Sequence, residues 1–349
     1  MNVIIILECI PLKQRKIGEN KMSNTLLGLM LIDAPHSALN NTLSFTGDKT
    51  ENIKRVKSIA KNGLSYPYVS GQAFRYWLRE TLRKEFDWKM SPISREKKIA
   101  FTDANPIEYD DDDMFGYMRA MKKQQGGPVT RISPFKNSPL ISVIGQTPTV
   151  DFGVMARQEE DPVLYEHEFY STVLKGAFSI DLDSVGVFCE TGKTGYKNMY
   201  PELIEIAKNN NLTHDGENWI MDDATRIERS TDVINALPYL YGGAKNTSHL
   251  TDVTPKIIVL VGINGGNHIF MNIVREEKGE IEFDLDAFDE VIHDYSDILK
   301  TDIYIGLRKG FLNSIQHKII EYAKKRDKIH VGTIKEACNE FSKEIPKLI

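Results

Sequence analysis

The sequence predicts an α+β fold, and three observations carry the prediction: two wholly apolar runs of strand length lie far apart, an amphipathic helix follows the first, and strand and helix patterns alternate between them. Leu26-Leu27-Gly28-Leu29-Met30-Leu31-Ile32 is apolar throughout and stops at the turn formers Asp33-Ala34-Pro35, the pattern of a strand covered on both faces. A polar loop follows, from His36 to Glu51. Wound as a helix, Tyr68 to Arg83 then sorts into two faces. Ala73, Phe74, Trp77, Leu78 and Leu82 line one side, Gln72, Arg75, Tyr76, Arg79 and Arg83 the other, and Ser70 stands as N-cap. Like charges at i, i+4 repel by about 0.2–0.5 kcal/mol per pair. A stripe of three arginines without an interleaved acid is therefore either a solvated face or a track for an anion, and the N–H groups behind Ser70 suit a phosphate.

Trp88 to Asp113, with Pro92, Pro106 and the run Asp110-Asp111-Asp112-Asp113, reads as an inserted, largely irregular segment, and Gly126-Gly127-Pro128 marks a break. Glu168 to Leu182 alternates as a long strand bent or bulged at Gly176, with Val185-Gly186-Val187-Phe188 placed to pair with it. Asp222 to Leu240 is helical and closed by Gly242-Gly243; Lys256 to Ile263 is the second buried strand. Gly262-Ile263-Asn264-Gly265-Gly266 reads as a hairpin turn leading to shorter strands near His268–Val274 and Ile281–Phe283. The C-terminus is helical, since Thr333 and Glu336 have capping-box spacing ahead of the stripe Ile334, Ala337, Cys338, Phe341. The core order is strand, helix, two strands, helix, strand. That is the split β-α-β order of a ferredoxin-like or RRM-like sheet, with an insertion after the first helix and further elements behind.

At 349 residues, 41% hydrophobic and 27% charged, the chain is long enough for one large core with an insertion. A net charge of -5 argues against coating a polyanion by bulk charge, so such a site must be a local groove. Cys9, Cys189 and Cys338 are odd in number and far apart, which excludes a disulfide framework or cysteine zinc site and points to a reducing, cytoplasmic setting. Val3-Ile4-Ile5-Ile6-Leu7 lacks a preceding basic region and is too short to span a membrane. Residues 1–21 read as an N-terminal extension, with Met22 a natural alternative start, and 22–349 as one domain with insertions.

Several motifs are excluded. Gly192-Lys193-Thr194 has Val187 where a P-loop needs its first glycine, and Asp151-Phe152-Gly153 lacks the companion kinase loops. No histidine lies at metal-ligand spacing from another His or Cys, so no metal and no cofactor are expected. The Asp110–Asp113 run is read as a solvated acidic loop, with a divalent cation site as the competing possibility. Gly242 to His249 combines paired glycines with Lys245, Asn246 and small hydrogen-bonding side chains, which suits close approach to a nucleic acid; helix capping explains the glycines alone.

Ile32 to Asn41, Tyr66 to Glu80, Asp113-Met114-Phe115-Gly116-Tyr117-Met118, Asp151-Phe152-Gly153-Val154-Met155 and Gly242-Gly243-Ala244-Lys245-Asn246, taken in series, resemble the DevR-type backbone subunit of Cascade, the type I CRISPR effector complex, and suggest subtype I-B. The likeness runs from about Leu26 to the end. It implies an RRM-like palm, inserted fingers over roughly 87–131 and a thumb hairpin within 143–167. RNA contacts would come from Asn40, Asn41, Ser70, Gln72, Arg75, Arg79, Arg131, Lys245, Asn246 and His249, and the thumb wedge from Phe152, Val154 and Met155. The implied protein is no enzyme. Its partners are guide RNA held by its phosphates, neighbouring copies of itself, target DNA, and the handle-binding, guide-processing, large and small Cascade subunits, with no membrane involved. Two alternatives stay open: a type III-like subunit that cleaves RNA with Asp33 or the Asp110–Asp113 carboxylates, and a stand-alone RRM-like regulator of single-stranded RNA.

Overall fold

The computed structural model describes residues 22–42, 53–96, 98–121, 127–156, 161–191 and 197–349. The N-terminal extension over residues 1–21 and the Gly192-Lys193-Thr194 motif lie outside them. The chain folds as α+β around a twelve-stranded mixed sheet. Its main path runs Ile329–Gly332, Ile303–Leu307, Ile257–Asn264, Asn24–Ser37, Val163–Asp181, Leu140–Ser142, Leu64–Val69, Ser58–Lys61. Neighbours on this path are antiparallel except the first two.

The unbroken apolar run of the first strand follows from this position. Leu26, Met30 and Ile32 point to one face, where the helices Gly71–Glu85, Asp223–Ala236 and Ile334–Ser342 supply Phe74, Trp77, Val233, Ile234, Cys338 and Phe341. Leu27, Leu29 and Leu31 point to the other, against Phe270, Phe288, Ile315 and Ile319 from the elements after Asn264. Both faces are dry, so period-two alternation disappears. A third, smaller core joins Ala104, Ile107, Tyr117 and Val129 to Phe188, Met199, Leu203 and Trp219. The inserted region is thus built from two separated segments, and the second, near 187–221, lies outside the expected finger span.

Local expectations hold where capping and periodicity are strong. Ser70 caps the first helix by accepting from Ala73 N, and Thr333 with Glu336 forms the capping box. Others are corrected. The long strand runs in register past Gly176, and its irregularity lies opposite Ala34–Ser37. Val187–Cys189 pairs with Asn218–Ile220 in a separate small sheet, because the chain turns away at Gly186 toward the third core. Gly265-Gly266 opens a loop, and the next hairpin is Val274–Glu277 with Glu280–Phe283. The segment 88–113 contains the hairpin Ile93–Glu96/Ile99–Thr102 and a helix, Asp110–Phe115.

That helix overturns the solvated-loop expectation for Asp110–Asp113. Asp111, Asp112 and Asp113 are buried. Asp111 accepts from Ser91 N (2.8 Å), Asp112 from Asn105 N (3.0 Å), and Asp110 from Lys89 N (2.9 Å) and Arg229 Nε (2.8 Å). Asp113 meets Arg229 Nη1 at 2.6 Å, Gly186 N, and the Arg131 guanidinium. Three buried carboxyl groups and the half-buried Asp110 are tolerated because backbone N–H groups and two buried guanidinium groups receive them. Burial nevertheless pushes the Asp111 carboxyl up to about 6, with the Ser91 N–H opposing it.

Candidate nucleic-acid interface

Three segments meet at one end of the first helix. Asn40 Oδ1 accepts from Ser70 N (3.0 Å), while Leu39 O accepts from Ala244 N (2.9 Å), so the loop after the first strand ties the helix start to the glycine loop. The glycines are required by packing. A Cβ on Gly242 would lie 2.4 Å from the Trp77 ring; one on Gly243, at φ +102, would lie 2.5 Å from Leu39. The loop therefore lies flat against Trp77 and Leu39 and lifts Lys245, itself left-handed at φ 53, to the surface, with Asn246 exposed beside it. Asn41 sits alongside, paired with Val56 on the strand Ile53–Val56.

The hairpin Thr149–Met155/Val163–Phe169 rises next to this loop as a continuation of the long strand. Its base is joined to Ile53–Val56 by parallel pairing, Glu166 with Ile53 and His167 with Lys54. His167 and Phe169 reach the His249 ring at centroid distances of 6.5 and 6.2 Å. Burial and then Lys54 hold the Lys245 ammonium below its ordinary value, with Asp151 opposing. Burial, Lys245 and His167 do the same to His249. Toward the tip, Phe152, Val154 and Met155 are 65, 56 and 58% exposed, and Leu164 on the facing strand is 61% exposed. Such a patch of apolar side chains in water commonly marks a contact surface.

The arginine stripe is not a free track. Arg75 donates from Nε to Asn137 (2.7 Å), from Nη1 to Phe115 O and Ser133, and from Nη2 to Phe135 O (2.6 Å). Arg79 lies 4.5 Å over the Phe115 ring, with the charges of Asp111 and Asp112 nearby. Arg83 is exposed but paired with Glu80 at 2.8 Å. Gln72 and Tyr76 of that face are also exposed. Arg131 is corrected outright: it is buried, its guanidinium bonded to Asp113, Val187 O (2.9 Å) and Ser184 O (2.8 Å), so it cannot reach a phosphate. Lys54, His36 and His167 join the site instead. No local signal marks them, because strand pairing between residues more than a hundred positions apart brings them together.

Among the described residues no group of three or more His, Cys, Asp or Glu is arranged to hold a metal ion, and no helix is long and apolar enough to cross a membrane. No curated protein matches the chain. A chain of a solved CRISPR RNA-guided surveillance complex is similar in structure, with a TM-score of 0.46 at 12% identity over 86% of this chain and 99% of that one. A chain of a pre-nicking CRISPR RNA-guided surveillance complex reaches a TM-score of 0.51 at 12% identity, covering 91% of this chain and 100% of that one. At that identity the second likeness speaks for the fold alone. The family model that describes the CRISPR-associated negative auto-regulator DevR/Csa2 matches residues 36–274, more than half the chain and the whole stretch that carries the loop, helix, hairpin and glycine segment. The chain belongs to the DevR/Csa2 family.

Proposed function

We propose that this chain is a non-catalytic backbone subunit of a CRISPR effector complex, which binds guide RNA by its phosphates, stacks copies of itself along that RNA and presents it to target DNA. In this reading the four antiparallel strands around Asn24–Ser37, with the helices Gly71–Glu85 and Asp223–Ala236 on one face, are an RRM-like palm, and the hairpin Thr149–Phe169 is a thumb. The observation that carries it is a hairpin with an apolar tip whose base lies against a lysine-bearing loop. Base edges must stay free for pairing, so a guide is held through phosphates and by apolar wedges on base faces. Lys54, Lys245, Asn246 and the helix start at Ser70 supply the first; Phe152, Val154 and Met155 supply the second. A thumb that engages the next copy makes a head-to-tail contact, so the length of RNA limits the array.

The Asp110–Asp113 carboxylates are bonded to arginines and backbone N–H groups inside the fold, which weighs against their use in RNA cleavage. The family's description as an auto-regulator keeps a stand-alone RNA-binding regulator as the second reading. Native mass spectrometry on single-stranded RNAs of increasing length separates them. Bound copies that rise stepwise with RNA length support the backbone reading; a fixed single copy supports the regulator; no RNA binding overturns both.

A further inference from the structure

At the hairpin base each of two histidine rings has one nitrogen engaged and one bare. His167 Nε2 lies 3.2 Å from Asp151 Oδ2, and the His249 ring bonds to the backbone of His36. An N–H given to a carboxylate or carbonyl sets the tautomer of a neutral imidazole and leaves the second nitrogen as an acceptor. Those second nitrogens, His167 Nδ1 and His249 Nε2, are buried with no hydrogen-bond partner among the described residues. A buried acceptor without a donor is costly, and a proton on either ring would turn that acceptor into a donor. Burial, Lys245 and His167 oppose a proton on His249. Lys54 is the register partner of His167, Lys245 lies beside His249, and His36 faces the same pocket. Asp151 is the acid in contact with His167; Glu166 flanks it, and Glu168 is bonded to Arg55 and Val56 N. Tyr165 stacks on His167 from the tip side, at a centroid distance of 5.9 Å.

We propose that His167 and His249, with Lys54 and Lys245, form a proton-coupled phosphate subsite: a phosphodiester of bound RNA seats against the two lysines and the histidine pair takes up a proton from solvent as it does so. This rests on the RNA-binding reading above and adds a regulated element to it. The anion offsets the repulsion from Lys245 that disfavours the charged His249 ring, and a phosphate oxygen accepts the N–H that the proton adds. By linkage, uptake of protons on binding makes affinity rise as pH falls.

Isothermal titration calorimetry of the full chain with a single-stranded RNA, in buffers of different ionisation enthalpy near neutral pH, reads the uptake directly. The expected result is net uptake on the order of one proton per site, and affinity that weakens by at most about tenfold per pH unit over about pH 6 to pH 8. His167→Gln with His249→Gln should abolish the uptake and flatten the pH dependence. Binding by the wild type without uptake overturns the subsite while leaving RNA binding intact, and needs no folded variant. Uptake that persists in the folded double variant places the proton elsewhere and also overturns it. Absence of RNA binding overturns the backbone reading and this subsite together.

Discussion

Asp110 to Asp113 lie largely inside the molecule, while Phe152, Val154 and Met155 stand outside it, and each arrangement reverses what side-chain polarity alone would give. The aspartates are interior because every carboxylate finds donors: Arg229 serves Asp110 and Asp113, and Ser91 N and Asn105 N serve the next two. The hairpin residues are exterior because a two-stranded ribbon has no core of its own to cover them. A buried charge with partners speaks for internal stability, and an exposed apolar tip speaks for a contact with another molecule.

The sharpest way to break this comparison is to remove a buried partner. Arg229→Ala leaves Asp110 without its guanidinium and Asp113 with that of Arg131 alone, and should cost about 3–5 kcal/mol in urea denaturation. A loss below about 1 kcal/mol would show that the cluster contributes little. Phe152→Ala with Met155→Ala should change monomer stability by no more than about 0.5 kcal/mol. The same change should weaken assembly on long RNA by about 1–3 kcal/mol per contact, read as a shift in the copy number bound. A large stability loss with normal assembly would make the tip residues part of a core.

Arg75 and Lys245 sharpen the contrast at smaller scale. Arg75→Ala strips donors from Phe115 O, Phe135 O and Asn137, so it should destabilise by about 1–3 kcal/mol while leaving the salt dependence of RNA binding near wild type. Lys245→Ala should do the reverse, lowering the log-log salt slope by about 0.7 with little effect on melting. The smallest effect concerns Asp232. Burial raises its carboxyl to about 6 from 3.8 against the Trp88 N–H at 2.9 Å, with the charges of Glu228 and Asp110 adding to the rise. A raised value means that this group's stabilisation is full below about pH 4 and is lost as pH rises through about 6. Asp232→Asn should flatten the stability profile across that window; an unchanged profile would assign the slope to other acids.

How much was legible in the sequence follows the range of the interactions. Leu26–Ile32, Lys256–Ile263, the Ser70 cap and the Thr333/Glu336 box are set by neighbours within a few positions, and they stand where periodicity puts them. The direction of Arg75 and Arg79 was not legible, because amphipathic winding shows which side of a helix is polar but not that Phe115, Ser133 and Phe135 return to cover it. The fate of the aspartate run depended on Arg229, more than a hundred residues away. Among the site residues Lys245 and His249 could be singled out because glycines and polar side chains crowd together there; Lys54 could not, since its neighbours arrive through the pairing of Ile53–Val56 with the hairpin base.

The strand Val163–Asp181 crosses the sheet beside Asn24–Ser37 and continues without interruption into the hairpin. It is one continuous strand, paired with Asn24–Ser37 from Tyr170 to Asp181 and with Thr149–Met155 from Val163 to Phe169. The tip's reach is then a length counted in residues, about 3.3 Å for each one. Two residues added near Phe169 would carry the tip outward with the same side chains facing the same way, whereas one added residue would turn Tyr165 and His167 to the opposite side. The reach of the hairpin tip is thus written into the length of a single strand.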